Sequence, residues 1–335
     1  MVENRQVRLR ERPVGIPQAR HFELVSTPVP QPGPDEVLVR NEFLSVEPAM
    51  RGWVNDAPNY LPPVPVGGVM RSFAVGRVER SNHPAYQPGE AVTGLFGWQE
   101  WAAVPASVID RKVTEPLPIS AALGILGLNG ATAYFGLLEV GEPRPGDTVV
   151  VSTAAGAVGS IVGQIAKIAG CRTVGIAGGP AKVALCRDVF GYDVAIDYRA
   201  PDFVQQLAAA LPNGADVYFD NTAGPISDAV LQHLAPRGRV VICGTASVAD
   251  WSPPPMGPRI ERVVLVKRAT IRAILVFDYK PRYGEAYARL ADWVRAGRIA
   301  YREDVLDGIG QAPDAIAGLY RGENLGKRLI RVGPG

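Results

Sequence analysis

The chain has 335 residues, and at roughly 150 residues per domain this length predicts about two domains. Lys and Arg number 35 and Asp and Glu 33, so the formal net charge is only +2, which argues against nucleic acid or an anionic membrane as the main partner. The chain has three cysteines, with no Cys-x-x-Cys pair, and three histidines, a composition that excludes a disulfide framework and disfavours a structural zinc site.

The first third of the chain, to about residue 115, predicts short β-strands. Segments such as FELVSTP, EVLVRNEFLS and YQPGEAVTG alternate apolar with polar residues between turns rich in Pro and Gly. The N-terminus is charged and lacks the apolar core of a signal peptide, which predicts a cytoplasmic protein.

An uncharged stretch follows, from Pro116 to Leu138, and it is long enough to raise the question of a membrane helix. Helix-breaking or polar residues interrupt it, so we expect a buried helix, a bend and a second helix instead. These residues are Gly124, Gly127, Asn129, Gly130 and Gly136.

From Thr148 onward, compact β-branched runs such as TVVVS alternate with helical patterns. Repeated β–α–β units predict a doubly wound parallel sheet that is covered on both faces. The predicted strands are 148–152, 173–176, 194–197, 217–220, 239–243 and 269–277, and the predicted helices are 158–169, 181–190, 202–211, 226–234 and 281–296.

The C-terminal part begins with a Pro-rich excursion at 245–268 and ends in a tail of predicted strands at 301–305 and 328–332 around a short helix at 313–320. A strand-rich tail after an α/β block most simply returns to the first domain. The predicted domains are therefore a discontinuous β-rich domain, residues 1–125 and 298–335, and a dinucleotide-binding domain, residues 126–297.

The turn after the first α/β strand carries the clearest local motif. Against the Gly-x-Gly-x-x-Gly fingerprint, Gly156 and Gly159 occupy the second and third glycine positions, and Ala154 occupies the first. The second glycine lets the backbone approach a diphosphate, the third permits close helix–strand packing, and the next helix directs its N–H groups at the anion. The turn predicts a dinucleotide site; the alternative is a plain strand-to-helix turn.

The end of the second strand predicts which dinucleotide binds. An NAD site usually has Asp or Glu about 20 residues past the turn, whereas residues 176–180 here contain no carboxylate. Lys182 follows, and Tyr198 with Arg199 lies just past the third strand. Because a cation attracts a 2′-phosphate, we expect NADPH rather than NADH. The alternative for Lys182 is a solvated lysine at a helix start.

Two more residues end strands of the same sheet. Asn221 follows VYFD and Cys243 follows RVVI. Ligands of parallel sheets bind at the carboxyl ends of the strands, so both residues are expected to face the cofactor. A buried apolar filler is the alternative for Cys243.

Few residues could perform other chemistry. The predicted β-rich domain has no cysteine and, as imidazoles, only His21 and His83, so we expect no catalytic metal. The chain also lacks the Gly-x-Ser-x-Gly motif of serine hydrolases.

The whole chain from about residue 5 to 333 resembles the zinc-independent medium-chain dehydrogenase/reductases. The segments that carry the likeness are FLSVEPAMRGWVND, PPVPVGGVMRSFAVGRV, SNHPAYQPGEAVTGLFGWQEW, LGLNGATAYFGLLEVGEPRPGDTVVVSTAAGAVGS and GENLGKRLIRV. They are most similar to the branch of leukotriene dehydrogenase/prostaglandin reductase, plant alkenal double-bond reductases and bacterial curcumin reductase. This resemblance implies an α/β fold with a doubly wound, Rossmann-type parallel sheet and a discontinuous GroES-like β-rich domain.

The resemblance also implies the cofactor contacts residue by residue. They include several positions identified above and add Ile274–Val276, Asn324 in GENLGK and Thr132, in NGATAY near the nicotinamide. Asn129-Gly130 departs from the Met-Pro-Gly that the family more often has there. The complete implied set is Thr132, Gly156, Ala157, Val158, Gly159, Lys182, Tyr198, Asn221, Cys243, Ile274, Leu275, Val276 and Asn324.

Two departures affect the substrate side. Where this chain has Ala49 and Ala249, the family usually or often has tyrosines that are candidates for gating the pocket or supplying a proton. Tyr60 matches a family tyrosine and is the one candidate catalytic residue; the alternative is an exposed loop aromatic.

The expected reaction is a metal-free conjugate reduction. Hydride passes from NADPH to the β-carbon of an enone or enal, and a proton, which water can supply, then reaches the α-carbon. Zinc-independent quinone reduction is the alternative reaction, and a non-catalytic NADPH-binding sensor or scaffold is the alternative from another class. By resemblance, edge strands are expected to pair two copies into a homodimer.

Overall fold

A computed structural model describes residues 3–57, 59–248, 253 and 255–333. Its contacts divide the chain into two units, one that runs to Gly124 and resumes at Glu303, and one from Ile125 to Arg302. The return lies a few residues beyond the predicted 297/298 boundary because Gln164 holds the intervening segment. Its Nε2 donates to the carbonyl oxygen of Ala300 at 2.8 Å, and its Oε1 accepts from the Ala300 N–H at 2.7 Å.

The strands and α-helices of the described residues are numbered here in chain order. The strands are β1 (Glu3–Leu9), β2 (Phe22–Pro28), β3 (Glu36–Ser45), β4 (Ala74–Ser81), β5 (Ala91–Gly94), β6 (Trp101–Pro105), β7 (Ile109–Lys112), β8 (Thr148–Ser152), β9 (Arg172–Ala177), β10 (Val194–Asp197), β11 (Ala215–Asp220), β12 (Leu234–Ile242), β13 (Thr270–Ala273), β14 (Glu303–Asp307) and β15 (Lys327–Arg331). The helices are α1 (Met50–Trp53), α2 (Leu128–Phe135), α3 (Gly159–Ile168), α4 (Pro180–Asp188), α5 (Phe203–Ala210), α6 (Gly224–Leu231), α7 (Glu261–Lys267), α8 (Tyr283–Arg295) and α9 (Ala312–Arg321).

The first unit is built on a sheet ordered β14-β15-β3-β4-β5-β7, with β6 also paired to β3 and with β1 and β2 as a separate hairpin. The tail joins this sheet because β15 pairs antiparallel with β3. A buried ion pair fixes the junction: Lys327 Nζ donates to Ser45 Oγ at 2.6 Å and to Glu47 Oε1 at 2.5 Å. Burial lowers the pKa of Lys327, and the Glu47 carboxylate opposes that shift.

The second unit has a parallel sheet ordered β10-β9-β8-β11-β12-β13. Strand β8 is central, and Val149, Val150 and Val151 within it are fully buried, as expected of a strand covered on both faces. The chain proceeds from β8 to β9 and β10 on one side and then crosses to β11 on the other, so the strand order reverses between β8 and β11. The predicted α/β fold class, with a doubly wound sheet and a separate β-rich domain, is confirmed.

The uncharged stretch forms short helices. A 3-10 helix at Ile119–Leu123 is followed by a turn, by α2 and by a π-helical turn at Gly136–Gly141. Gly130 lets α2 pack closely against the turn that precedes it. A Cβ on Gly130 would lie 1.9 Å from the carbonyl oxygen of Ile125, which is in that turn. No helix in the described part of the chain combines the length and hydropathy that a bilayer crossing requires.

Near the excursion, one predicted element was wrong in its length and one helix was missed. The strand predicted at 269–277 ends at Ala273, because its neighbour β12 ends at Ile242, whose carbonyl oxygen accepts the last bond, from the Ile274 N–H at 3.0 Å. The excursion itself contains α7, which none of the predicted elements included. This helix buries no side chain and is seven residues long, so it has no apolar periodicity for a sequence pattern to detect.

Candidate functional site

The turn between β8 and α3 is shaped by its two glycines. The Gly156 N–H donates to the Thr153 carbonyl oxygen at 2.9 Å, and Thr153 itself has a φ of 54°. A Cβ on Gly159 would lie 2.3 Å from that same oxygen, and a Cβ on Gly156 would lie 2.8 Å from Thr153 Cγ2. No described side chain caps the N-terminus of α3, so the turn and the ten-residue helix behind it fit a diphosphate.

The end of β9 is covered by aromatic and cationic side chains. A Cβ on Gly178 would lie 2.8 Å from Tyr198 Cε1 and 3.1 Å from Arg199 Nε, so both side chains stand over this glycine. The guanidinium of Arg199 lies 5.6 Å from the centre of the Tyr198 ring. Lys182 is the third residue of α4, which begins just after Gly179.

The carboxylate of Asp197 links the backbone at the ends of β9 and β10. Asp197 Oδ1 accepts from the N–H groups of Gly179 and Arg199, both at 2.9 Å, and so joins the ends of β9 and β10. Both of these donors are backbone N–H groups. The cations of Lys182 and Arg199 at this corner have the charge that matches a 2′-phosphate.

The ends of β8, β11 and β12 meet at Asn221 and Cys243. The Asn221 N–H donates to Ser152 Oγ at 2.8 Å, and Asn221 Nδ2 donates to the Ser152 carbonyl oxygen at 2.7 Å. The Cys243 N–H donates to the Asp220 carbonyl oxygen at 2.8 Å. Each residue is the first beyond its strand, not the last within it, and both lie at the carboxyl edge of the sheet.

Three further predicted contacts follow β13. Ile274 is buried, Leu275 is 37% exposed, and Val276 begins a 3-10 helix at Val276–Arg282. Thr132 lies in α2, where its hydroxyl donates to the Leu128 carbonyl oxygen at 2.7 Å.

Three of the remaining residues of interest, Tyr60, Asn324 and Ala49, belong to the first unit. Tyr60 is 47% exposed, and its backbone N–H donates to Asn59 Oδ1 at 2.8 Å. Asn324 is half-buried, and its Nδ2 donates to the Gly326 carbonyl oxygen at 2.9 Å. Ala49 directly precedes α1, and Ala249 lies outside the described residues.

Sequence reasoning missed two polar residues at the same edge, Ser152 and Asp220. Both are fully buried, and Ser152 Oγ donates to Asp220 Oδ1 at 3.2 Å. The available signal was a polar residue that ends an otherwise apolar strand, as in VVVS and YFD. Elsewhere, within 3–57, 59–248, 253 and 255–333, no three His, Cys, Asp or Glu side chains are grouped so that they could hold a metal ion.

The comparisons with known proteins extend over nearly the whole chain. Residues 5–111 match a family described as the N-terminal domain of oxidoreductase, and residues 157–293 match one described as zinc-binding dehydrogenase. The NADPH-dependent curcumin reductase of Escherichia coli K12 is 42% identical over 98% of this chain and 97% of its own. The NADP⁺-dependent 2-alkenal reductase of Nicotiana tabacum is 36% identical over 99% of this chain and 98% of its own.

A solved structure is also similar to this chain over almost its full length. The crystal structure of CurA from Vibrio vulnificus in complex with NADPH superposes with a TM-score of 0.93 and 42% sequence identity, covering 99% of this chain and 100% of that one.

Proposed function

The chain belongs to the medium-chain dehydrogenase/reductase family, in the branch of NADPH-dependent curcumin reductase and 2-alkenal reductase, and from this premise we propose that it reduces the carbon–carbon double bond of α,β-unsaturated ketones and aldehydes with NADPH. The likeness to these two reductases along almost the entire chain is the observation that carries the proposal.

The residues of the second unit fit NADPH. Gly156 and Gly159 leave room at the turn for the diphosphate, and Lys182 with Arg199 supplies positive charge for the 2′-phosphate. Asn221 and Cys243, on the other side of β8, face the nicotinamide half. When bound, NADPH supplies the hydride that reduces the double bond.

On the substrate side, the protein stabilises the negative charge that develops on the carbonyl oxygen as the β-carbon is reduced. Tyr60 is the proposed donor to this oxygen. Ala49 carries no hydroxyl, so water supplies the proton to the α-carbon, which a weak acid can do.

Replacement of Tyr60 by Phe is expected to lower kcat about tenfold. The loss is smaller than the hundredfold or more for a buried oxyanion donor, because a side chain that is 47% exposed is screened by water. Steady-state rates with an enone check this, with Tyr86→Phe in the same unit as the control. A kcat unchanged in Tyr60→Phe would leave Tyr60 as an exposed loop residue.

The reaction itself is tested with (E)-3-nonen-2-one, p-benzoquinone and NADPH. We expect NADPH oxidation with formation of nonan-2-one and a kcat/KM for the enone above that for the quinone. Turnover of quinones with enones inert would identify a quinone reductase. Tight NADPH binding without reduction of any enone, enal or quinone would identify a non-catalytic protein.

We expect all three thiols to react slowly with electrophiles of the substrate class. Burial raises the pKa of Cys171 to about 11 and that of Cys186 and Cys243 to about 12. At pH 8 a thiol of pKa 11 is thiolate to the extent of about 0.1%, and the thiolate is the reactive form. We therefore expect no rapid reaction of the native protein with DTNB at pH 8, and three equivalents after unfolding. Rapid release of one equivalent from native protein would contradict these pKa values.

We also propose that catalysis uses no zinc. A catalytic zinc ion is bound mainly by thiolate and imidazole side chains. The three cysteines all lie in the second unit, and none of them is grouped with other metal-binding side chains among the described residues. Dialysis against EDTA should leave the rate unchanged.

Free, unpaired cysteines also support a reducing, cytoplasmic location.

A homodimer through β13 is the proposed assembly. This strand is the last of its sheet, so one edge is unpaired within the described structure, and its residues are exposed. Ile271 in β13 is 36% exposed, and α7, the helix that precedes this strand in the chain, exposes Leu265 (77%) and Val266 (55%). Pairing of two such edges across a two-fold axis would satisfy the backbone and bury these side chains.

Light scattering should therefore give about twice 35.7 kDa for the native protein. The double change Leu265→Glu with Ile271→Glu is expected to give the monomer mass, whereas Val204→Glu, at a valine 55% exposed on α5, should leave the dimer intact. A monomeric native protein, or a dimer that survives the double change, would contradict this interface.

A further inference from the structure

Asp220 is a buried carboxylate at the end of β11 that pairs with no described Lys or Arg. It is 0% exposed, yet both of its oxygens accept hydrogen bonds. The donors to Oδ1 are the Thr222 N–H at 2.9 Å, the Ala223 N–H at 3.0 Å, the Tyr218 hydroxyl at 3.0 Å, and the Ser152 and Thr222 hydroxyls at 3.2 Å; Oδ2 accepts from the Ser227 hydroxyl at 2.7 Å.

These donors come from separate elements of the carboxyl edge. Ser152 ends β8, Thr222 and Ala223 form the turn after β11, and Ser227 lies in α6. The backbone oxygen of Asp220 also accepts from Cys243 at 2.8 Å, so the end of β12 is attached as well.

The turn that Asp220 holds contains Asn221. Ala223 has a φ of 57°, in the region that favours glycine, and its N–H bond to Asp220 helps to maintain this strained conformation. Ser152 Oγ, which donates to Asp220, in turn accepts from the Asn221 N–H. Asp220 therefore sets the orientation of Asn221 in two ways: through its bonds to the turn residues Thr222 and Ala223, and through the Ser152 hydroxyl that both Asp220 and Asn221 contact.

Burying the Asp220 carboxylate costs desolvation free energy, which the fold must offset. A buried carboxylate without a cation is stable only when its hydrogen bonds replace those of water. Asp216, near the other end of the same strand, shows the ordinary arrangement: it is partly exposed, and one of its oxygens accepts from the Thr148 N–H at 2.8 Å. The densely bonded carboxylate lies at the edge where ligands of parallel sheets bind.

We propose that Asp220 is a positioning residue that orients Asn221 and the backbone at Cys243 toward the nicotinamide half of NADPH. Strands β9 and β10 lie on one side of β8 and provide the adenosine half of the site, whereas β11 and β12 lie on the other side. Loss of the carboxylate should therefore weaken binding of the whole coenzyme and spare a ligand that contains only the adenosine part. This inference rests on the proposed use of NADPH.

The test compares Asp220→Asn with the control Asp216→Asn by calorimetric titration with NADPH and with 2′,5′-ADP. The amide keeps the shape of the carboxylate but lacks the charge that lets one oxygen hold five donors, so the turn relaxes. We expect the Kd of Asp220→Asn for NADPH to rise at least fivefold and its Kd for 2′,5′-ADP to change less than twofold. Both values should stay within twofold in Asp216→Asn.

The outcomes separate the two proposals. If the native protein does not bind NADPH, the proposed function is wrong. If it does, and Asp220→Asn binds both ligands as the native protein does or weakens both equally, the positioning role is wrong. Should circular dichroism show Asp220→Asn unfolded, Ser152→Ala decides: it removes only the hydroxyl between Asp220 and Asn221, and the same selective loss is expected, with no loss or an equal loss overturning the inference.

Discussion

Lys182→Met is expected to lower the ratio of kcat/KM for NADPH to kcat/KM for NADH by 10- to 100-fold. A hydrogen bond to a charged group contributes about 1.5–3 kcal/mol, and each 1.4 kcal/mol is a factor of ten. Only NADPH carries the 2′-phosphate, so its kcat/KM should fall while that for NADH changes little. Residues 176–180 include no Asp or Glu, and the guanidinium of Arg199 stands over Gly178; both observations support the same location for the phosphate.

Lys167 offers a matched control for the loss of one positive charge. It lies in the same unit, and its Nζ pairs with Asp193 at 2.5 Å, away from the Gly178 turn in the sequence. Lys167→Met should leave the coenzyme ratio unchanged. A fall in kcat/KM of equal size for both coenzymes in Lys182→Met would show that Lys182 does not recognise the 2′-phosphate.

Gly159→Ala is expected to raise the Kd for NADPH by more than a hundredfold and to lower the melting temperature. The new Cβ would lie 2.3 Å from a backbone oxygen, that of Thr153, so the turn and the start of α3 must move apart. Gly156→Ala should cost about tenfold in affinity, less than Gly159→Ala, because its Cβ would lie 2.8 Å from Thr153 Cγ2 and 3.1 Å from the Thr153 carbonyl oxygen, contacts that a smaller shift relieves. Fluorescence titration and thermal melts measure both variants.

Gly284 controls for the general effect of Gly-to-Ala substitution. It lies in α8, and a Cβ there would have no atom within 4 Å, so Gly284→Ala should be neutral or stabilise the fold by about 0.5–1 kcal/mol. A Gly159→Ala protein with native NADPH affinity and melting temperature would mean that the turn does not have the described geometry.

The alternation of strands and helices was predictable from local sequence. The β-branched runs at β8 and β10 coincide with their predicted bounds of 148–152 and 194–197, because strand length there is set by apolar residues that any pattern detects. The 3-10 helix from Val276 and helix α7 were not predictable. Their limits depend on where β12 ends and on turns that are not encoded in a periodic pattern.

Within the candidate site, too, some residues can be proposed from local sequence and others only from the fold. Gly156 and Gly159 could be proposed from the sequence because a turn motif is contiguous, and Lys182 and Tyr198 because they lie a short distance from a predicted strand. The bond between Ser152 and Asp220 joins residues 68 positions apart, so only the parallel pairing of β8 with β11 brings them together. The roles of Tyr60, Asn324 and the other site residues remain predictions that the variants above can test.

The central claim is conjugate reduction, and the most direct test follows the hydride. The protein is incubated with (E)-3-nonen-2-one and NADPH that carries deuterium at both C4 positions of the nicotinamide, and the product is identified by NMR. The account predicts nonan-2-one with deuterium on the carbon β to the carbonyl. Deuterium on the carbinol carbon of an allylic alcohol, or an enone left unreduced, would contradict it.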